Sequence, residues 1–511
     1  MHSLDSHQYY STVNKLTQFE MEAILGPDSE PFETFISNLS RSEVESTAEM
    51  MKQRDPNALA FKTVNFLSSF HVDEIDSREK CADLLGRLLV DDDLSTWRNL
   101  SISTQSAIKS FLLNPIINFE ESKFITKVRR DTIYRLAASL LPDNNWPELL
   151  PFLYQCLTDS ASNNYLKGLA FHIFAELAED IGETIVVPSA KTLHSRFRNT
   201  LNDDTLDLDV RIAAVSAVIK FIQCMPSSNE KERFQDLLPG MMMTLTNAYL
   251  SKGEVADEQV LKHFIELAKN EPRFFRSQLV DVVSTMFEIT EAESLEDRTR
   301  HLAVEFLITL VEAKKRAPGM MKRVPLFISR CFALLLKLLL DITDDPAWHS
   351  ADTLFDVIGP TSNFRVGRKC LDRFSLALGG KSIAHVAIEQ LSAYSDAPEW
   401  EKRHAALIAL AYIAEGCSKV MIKNLEQLVT IVLNCFQDPH PRVRWAACCA
   451  ILRFLYDFSP HFQENYHNQV FLALAAAMDD SYPRVQVCPT IYECCKFPKK
   501  QLQAKTRLDY H

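Results

Sequence analysis

Acidic side chains recur along this chain at a pitch suited to successive helices. Glu179, Glu312, Glu415 and Asp457 each follow, by nine or ten positions, one of the alanines Ala170, Ala303, Ala406 and Ala447. A row of carboxylates is a cation-binding device: along an extended partner it would accept charge-assisted hydrogen bonds from lysine and arginine. Gly182 and Gly416 soon follow two of these acids, as C-cap glycines do. The acids are therefore expected in last helical turns, where the helix dipole disfavours negative charge by about 0.3–1 kcal/mol. A repeated, mildly unfavourable placement points to a ligand, yet a solvated helix end explains the same pattern, and both readings stand. Trp400 and Trp445 lie 45 residues apart, each near the start of a helix. Their indoles either stack on the basic side chains of a ligand or pack between neighbouring helices.

Other chemistry is poorly represented. The chain contains no G-x-x-x-x-G-K-[ST], no G-x-G-x-x-G and no G-x-S-x-G, so phosphate cradles and nucleophile elbows are not expected. No His-Glu dipeptide and no C-x-x-C pair occurs among the fourteen histidines and twelve cysteines; neither a metal nor any other cofactor is expected, and the chain reads as a non-enzyme. The formal charge of −12 disfavours direct contact with nucleic acid and suits basic partners. The longest apolar stretch, Phe327 to Leu340, is broken by Arg330 and Lys337, and no membrane insertion is expected.

The elements that must hold the acids are repeated helical hairpins. Val210-Arg211-Ile212-Ala213-Ala214, Arg403-His404-Ala405-Ala406 and Val443-Arg444-Trp445-Ala446-Ala447 are copies of one pattern, with weaker copies near Ala82, Val128, Ala170, Val260 and Ala303. Most intervals fall between 41 and 47 residues, the period of HEAT and armadillo repeats. Leu-Leu-Pro recurs at Leu149-Leu150-Pro151 and Leu237-Leu238-Pro239, marking helix starts, where proline is tolerated. Asp438-x4-Val443 and Asp480-x4-Val485 place an aspartate in the turn before a second helix, able to accept free backbone N–H groups. The expected fold is all-α: a HEAT-repeat superhelical solenoid, armadillo-like, of about ten hairpins. The rhythm fails once, after Ala303, which predicts a loop inserted over 341–368. Trp97 and Trp348 read as local packing. The chain thus divides into a flexible 1–20, repeats over 21–340, the loop 341–368, further repeats over 369–486 and a divergent tail, 487–511.

Longer runs carry a family resemblance. Glu399-Trp400-Glu401-Lys402-Arg403-His404-Ala405-Ala406-Leu407 through Ile413-Ala414-Glu415-Gly416-Cys417, Asp438-Pro439-His440-Pro441-Arg442-Val443-Arg444-Trp445, Leu474-Ala475-Ala476-Ala477-Met478-Asp479-Asp480, Arg233-Phe234-Gln235-Asp236-Leu237-Leu238-Pro239 and Ala317-Pro318-Gly319-Met320-Met321 resemble the importin beta-3 branch of the karyopherin-beta nuclear transport receptors. The resemblance spans about residues 20 to 486 and implies an import receptor, shuttling between cytoplasm and nucleus. Its implied partners are cargo proteins with basic localisation signals, Ran GTPase and phenylalanine-glycine nucleoporins, and a monomer is expected. It implies that Glu179, Glu312, Trp400, Glu415, Trp445 and Asp457 line a concave cargo groove, and that Arg78 and Arg87 face Ran. The family's inserted loop is acidic, and here Asp341, Asp344, Asp345, Asp352 and Asp356 are its weakened counterpart. Family members are longer than this chain, so a shortened form with partial activity is expected. The alternative is a HEAT protein-binding scaffold with no transport role.

Overall fold

A computed structural model of the chain describes residues 18–69, 75–90, 94–114, 122–159, 163–251, 258–351 and 361–487. The backbone divides into two compact units, Met1–Thr244 and Leu245–His511. Within each, the recurring small residues mark helices that pack side by side.

In the first unit Ala82 lies on α1 (Ile75–Leu89), Val128 on α2 (Lys123–Leu140), Ala170 on α3 (Asn164–Leu201) and Ala214 on α4 (Leu208–Cys224). Ala170 and Ala214 are fully buried, because a methyl side chain lets neighbouring helices approach closely. Larger rings fill the remaining space: Phe171 stacks on Phe197 at 5.6 Å, and Phe197 meets Phe221 edge-on at 5.7 Å. Each such ring stabilises the unit by about 1.5–3 kcal/mol through burial alone. Both Leu-Leu-Pro marks coincide with helix starts, at Leu149–Thr158 and Leu238–Thr246. α3 is broken at Ile181 (φ −129°, ψ 37°). Gly182 directly follows this break, at the end of the helical segment that carries Ala170 and Glu179, where the sequence-based expectation put a helix end.

The second unit contains α5 (Asp297–Glu312), α6 (Phe327–Leu338), α7 (Pro346–Ser350), α8 (Ser362–Leu378), α9 (Gly380–Ser395), α10 (Trp400–Met421), α11 (Leu425–Asn434), α12 (Pro441–Asp457), α13 (His461–Ala477) and α14 (Pro483–Val487). One layer runs α5, α8, α10, α12, each packed on the next, while α6 meets α9 and α11 meets α13. α10 forms because its alanines and leucines are strong helix formers; Ala405, Ala406, Leu407, Ala409, Ala411 and Ile413 are then buried on its packed faces. Gly416 lies inside α10 and caps nothing. A Cβ there would stand 2.3 Å from the Ser375 carbonyl carbon, so glycine is needed for α8 and α10 to cross backbone to backbone. Trp400–Gln437 has the length and apolar character of a membrane-crossing helix, with 61% of its apolar window buried. It comprises α10, α11 and short turns, and its apolar residues form much of this unit's core.

The inserted segment is shorter than expected. α8 already begins at Ser362, capped by Thr361, whose hydroxyl oxygen accepts the Phe364 N–H at 3.2 Å. Gly367 is therefore helical, at a close approach to Leu335 and Leu338 of α6. Before it, α7 is capped by Asp345, which accepts the Ala347 N–H at 2.8 Å. Its Trp348 is fully buried, edge-on to Trp445 at 5.9 Å, with the Arg442 guanidinium 4.3 Å and the Arg484 guanidinium 5.6 Å from its ring. This side chain ties the insert to α12 and α14, a wider role than local packing.

Turns between hairpins repeat one ion-paired design. Arg403 donates to both carboxylate oxygens of Asp438 at 2.7 and 3.0 Å, and Arg444 does the same to Asp480 at 2.6 and 2.9 Å. Each aspartate also accepts a backbone N–H, from His440 at 2.9 Å and from Tyr482 at 3.0 Å. The Asp-x4-Val spacing indicates that second contact but says nothing of the arginines.

Candidate functional site

Because α8, α10 and α12 pack in sequence, residues one repeat apart on them share a face. Asp372, Glu415 and Asp457 occupy these helices at spacings of 43 and 42 residues. Their electrostatics show one common field. Burial pushes the Asp457 carboxyl up to about 6; Arg453 pulls it down, while Glu415 and Asp372 push it further up. Burial also raises Asp372, opposed by Arg453 and reinforced by Glu415. Among the described residues Arg453 is the one cation acting on both, 3.4 Å from Asp372 and 3.7 Å from Asp457. Asp457 Oδ2 is buried and lies beyond hydrogen-bond reach of any group, while Glu415 is exposed. The Tyr412 ring lies between two guanidinium groups, 5.4 Å from Arg368 and 5.5 Å from Arg453. Among the described residues the face sets three carboxylates around Arg453.

Of the acids singled out by sequence, Glu415 and Asp457 are thus brought together. Glu312 ends α5, where it shares Arg373 with Glu305 through four hydrogen bonds of 2.6–2.8 Å; hydrogen bonding to Glu312, then Glu305, raises the guanidinium pKa despite burial. Glu179 belongs to the first unit, paired with Lys220 at 2.7 Å. Only Glu312 and Asp457 end their helices; Glu415 lies within α10 and Glu179 two residues before the break in α3. The dipole argument therefore holds for Glu179, Glu312 and Asp457 and fails for Glu415. Asp372 escapes the alanine count because α8 carries no matching alanine pair and the insert shifts the register. Counting 43 residues back from Glu415 finds it.

The tryptophans are engaged internally. Trp400 stacks face to face on His440 at 4.0 Å. Trp445 is only 5% exposed, packed between Trp348 and the fully buried His404. Its indole packs between helices and is not presented to a ligand, which corrects the groove-lining expectation for this residue. Burial, with Arg442 and His440 nearby, pushes His404 down to about 3, so the ring is neutral.

Arg78 donates to the Ser69 carbonyl at 3.0 Å, and Arg87 pairs with Asp83 at 3.1 Å and Glu45 at 3.2 Å. In the insert, Asp341 accepts from Asn363 at 2.8 Å. Burial raises Asp344, but His349 at 2.7 Å and His440 at 3.4 Å outweigh it and hold the carboxyl below its usual range. Asp352 and Asp356 lie outside the described residues. Among the described residues no cluster of three or more His, Cys, Asp or Glu side chains is placed to hold a metal ion.

Comparison with known proteins places this face in context. Family models match in series: "IPO5-like, TPR repeats" over residues 125–285, "Importin repeat" over 292–385 and "HEAT-like repeat" over 400–454. Importin subunit beta-3 of Saccharomyces cerevisiae is 27% identical over 375 residues, 73% of this chain and 33% of that protein. The chain is similar to the importin beta-3 proteins over most of its length. A probable importin-5 homolog of Dictyostelium discoideum is 25% identical over 60% of this chain and 28% of its own length. The chain thus spans about a third of the length of the curated relatives it matches. Its fold is that of the karyopherin HEAT solenoids. Kap121p bound to Pho4p matches with a TM-score of 0.71 at 23% identity, over 92% of this chain and 44% of that one. Kap121p bound to RanGTP matches with 0.69 at 24%, over 93% and 44%. A Kap121p variant matches with 0.71 at 23%, over 92% and 43%; it carries lysine in place of an aspartate, a glutamate and an aspartate at successive spacings of 43 and 42 residues.

Proposed function

We propose that this chain, as an importin beta-3-like protein, binds basic segments of transported proteins on the face formed by Asp372, Glu415 and Asp457, and so acts as a nuclear import receptor moving between cytoplasm and nucleus. The observation that carries the reading is a coincidence of chemistry and spacing. Asp372, Glu415 and Asp457 have the same residue types, in the same order and at the same intervals, as the three acids reversed in the Kap121p variant. Physically, the face offers three carboxylates against one loosely paired arginine, two of them partly desolvated, where a charge-assisted hydrogen bond is stronger than in water.

Glu312 and Glu179 are already matched by Arg373 and Lys220 and are left out of the proposed face. Release by Ran-GTP is proposed from the RanGTP-bound relative. The insert's Asp341, Asp344 and Asp345 are occupied by Asn363, two histidines and a helix cap, so release is not routed through them. Fluorescence anisotropy with a lysine-rich peptide tests the reading. Asp372→Lys, Glu415→Lys and Asp457→Lys together should weaken binding by at least about a hundredfold, and Ran-GTP should compete with the peptide. Undiminished binding by the triple variant would remove the proposed face.

A further inference from the structure

We infer that Arg453 is a built-in occupant of the proposed binding face: it sits where a basic side chain of a bound partner sits, and binding displaces it. The inference rests on the binding face proposed above. It comes from comparing how this unit holds its arginines. Arg373 reaches two glutamates at 2.6–2.8 Å. Arg403 and Arg444 grip their aspartates with paired bonds of 2.6–3.0 Å and also donate to backbone carbonyls at 2.7–3.2 Å. Arg453 faces just as much acid, yet its contacts are all long: 3.4 Å to Asp372, 3.7 Å to Asp457 and 3.5 Å to the Ala411 carbonyl. A well-formed N–H···O bond lies near 2.9–3.0 Å and weakens steeply beyond that. Asp457 Oδ2 gains no hydrogen bond from it.

A guanidinium that bridges two carboxylates without satisfying either is a placeholder. It partly neutralises Asp372 and Asp457 while the face is empty, which reduces their mutual repulsion with Glu415. An incoming ammonium, compact and free to approach from solvent, makes the short bond that Arg453 does not. The displaced guanidinium need not travel far, because it already lies 5.5 Å from the Tyr412 ring and can keep that cation–π contact as it leaves the carboxylates. The face is thereby made selective. A partner must bring enough positive charge to outcompete an intramolecular rival, and isolated weak cations do not.

The test uses the full chain and a lysine-rich peptide, with affinity and melting temperature measured together. Arg453→Gln should bind about tenfold more tightly than the unsubstituted chain, with little change in melting temperature. Arg368→Gln removes an equal charge beside the same tyrosine without uncovering Asp457, and should tighten binding less than about twofold. Equal gains from the two variants, or a loss of melting temperature in Arg453→Gln with no gain in affinity, would overturn the inference. Binding by the unsubstituted chain that Glu415→Lys abolishes and Arg453→Gln leaves unchanged would overturn the inference alone. If neither the unsubstituted chain nor Arg453→Gln binds the peptide, the binding face itself falls and the inference with it.

Discussion

Two sets of acids recur at repeat spacing in the second unit, and they have opposite fates. Asp438 and Asp480 lie in the turns before α12 and α14, each 9% exposed at the side chain, each gripped by an arginine from the preceding repeat and by a backbone N–H. Asp372, Glu415 and Asp457 lie on α8, α10 and α12 at nearly the same interval, but one arginine at 3.4 and 3.7 Å serves two of them. The first set is complete as it stands, and the second has capacity left over. Periodicity fixes where a side chain recurs; whether it is structural or free to bind depends on what the neighbouring repeat places opposite it.

The sharpest way to break the contrast is to remove a member of the completed set. Asp438→Ala leaves the half-buried Arg403 without its partner and should destabilise the chain by about 3–5 kcal/mol, read from urea unfolding. A loss under about 1 kcal/mol would mean the turn pairs are no more structural than the open face. Next in size is Gly416→Ala. Its methyl would collide with the Ser375 backbone, and overpacking of this kind costs about 1–3 kcal/mol. Because α8 and α10 carry neighbouring acids, peptide affinity should fall with stability. Glu415→Lys should do the reverse: stability within about 0.5 kcal/mol and a basic peptide bound about tenfold more weakly. A collapse in stability would place Glu415 with the structural acids.

The smallest effect on affinity is the pH dependence of Asp457, whose neighbours are Arg453, Asp372 and Glu415. Its folded pKa, about 6, stands above the ordinary aspartate value of 3.8. Between those values the folded chain holds a proton that the unfolded chain has lost. Its contribution to stability is therefore full below about pH 4 and declines as pH rises through about 6. Cation binding needs the ionised carboxylate, so peptide affinity should rise severalfold over the same window. Asp457→Asn should flatten both trends; an unchanged affinity profile would exclude Asp457 as the group responsible.

Much of this layout is legible in the residues. Ala406 and Ala447 mark α10 and α12, the Asp-x4-Val spacing places Asp438 and Asp480 where they accept backbone N–H groups, and Glu415 and Asp457 do share a field. What escapes is what depends on the opposing surface. Trp445 at a helix start looks available until Trp348, nearly a hundred residues earlier, covers it. Glu312 looks like one more member of the acid row until Arg373 arrives across the insert. Gly416 looks like a helix end, because nothing in its own segment reveals that Ser375 lies against it. Asp372 is hidden for a simpler reason: the insert breaks the count that would find it.

The contact at Gly416 has one more consequence. Where two helices meet without side chains between them, covalent geometry sets their separation, and no rotamer change can adjust it. Packed helix axes lie about 8–10 Å apart, and an extended chain advances about 3.3 Å per residue, so one helix corresponds to roughly three residues of a bound strand. On the binding face proposed above, the acids would act as a ruler whose first division, from Asp372 to Glu415, is rigid. A ligand whose positive charges fall out of step with it engages fewer marks, so the order of residues along the ligand matters as much as its total charge.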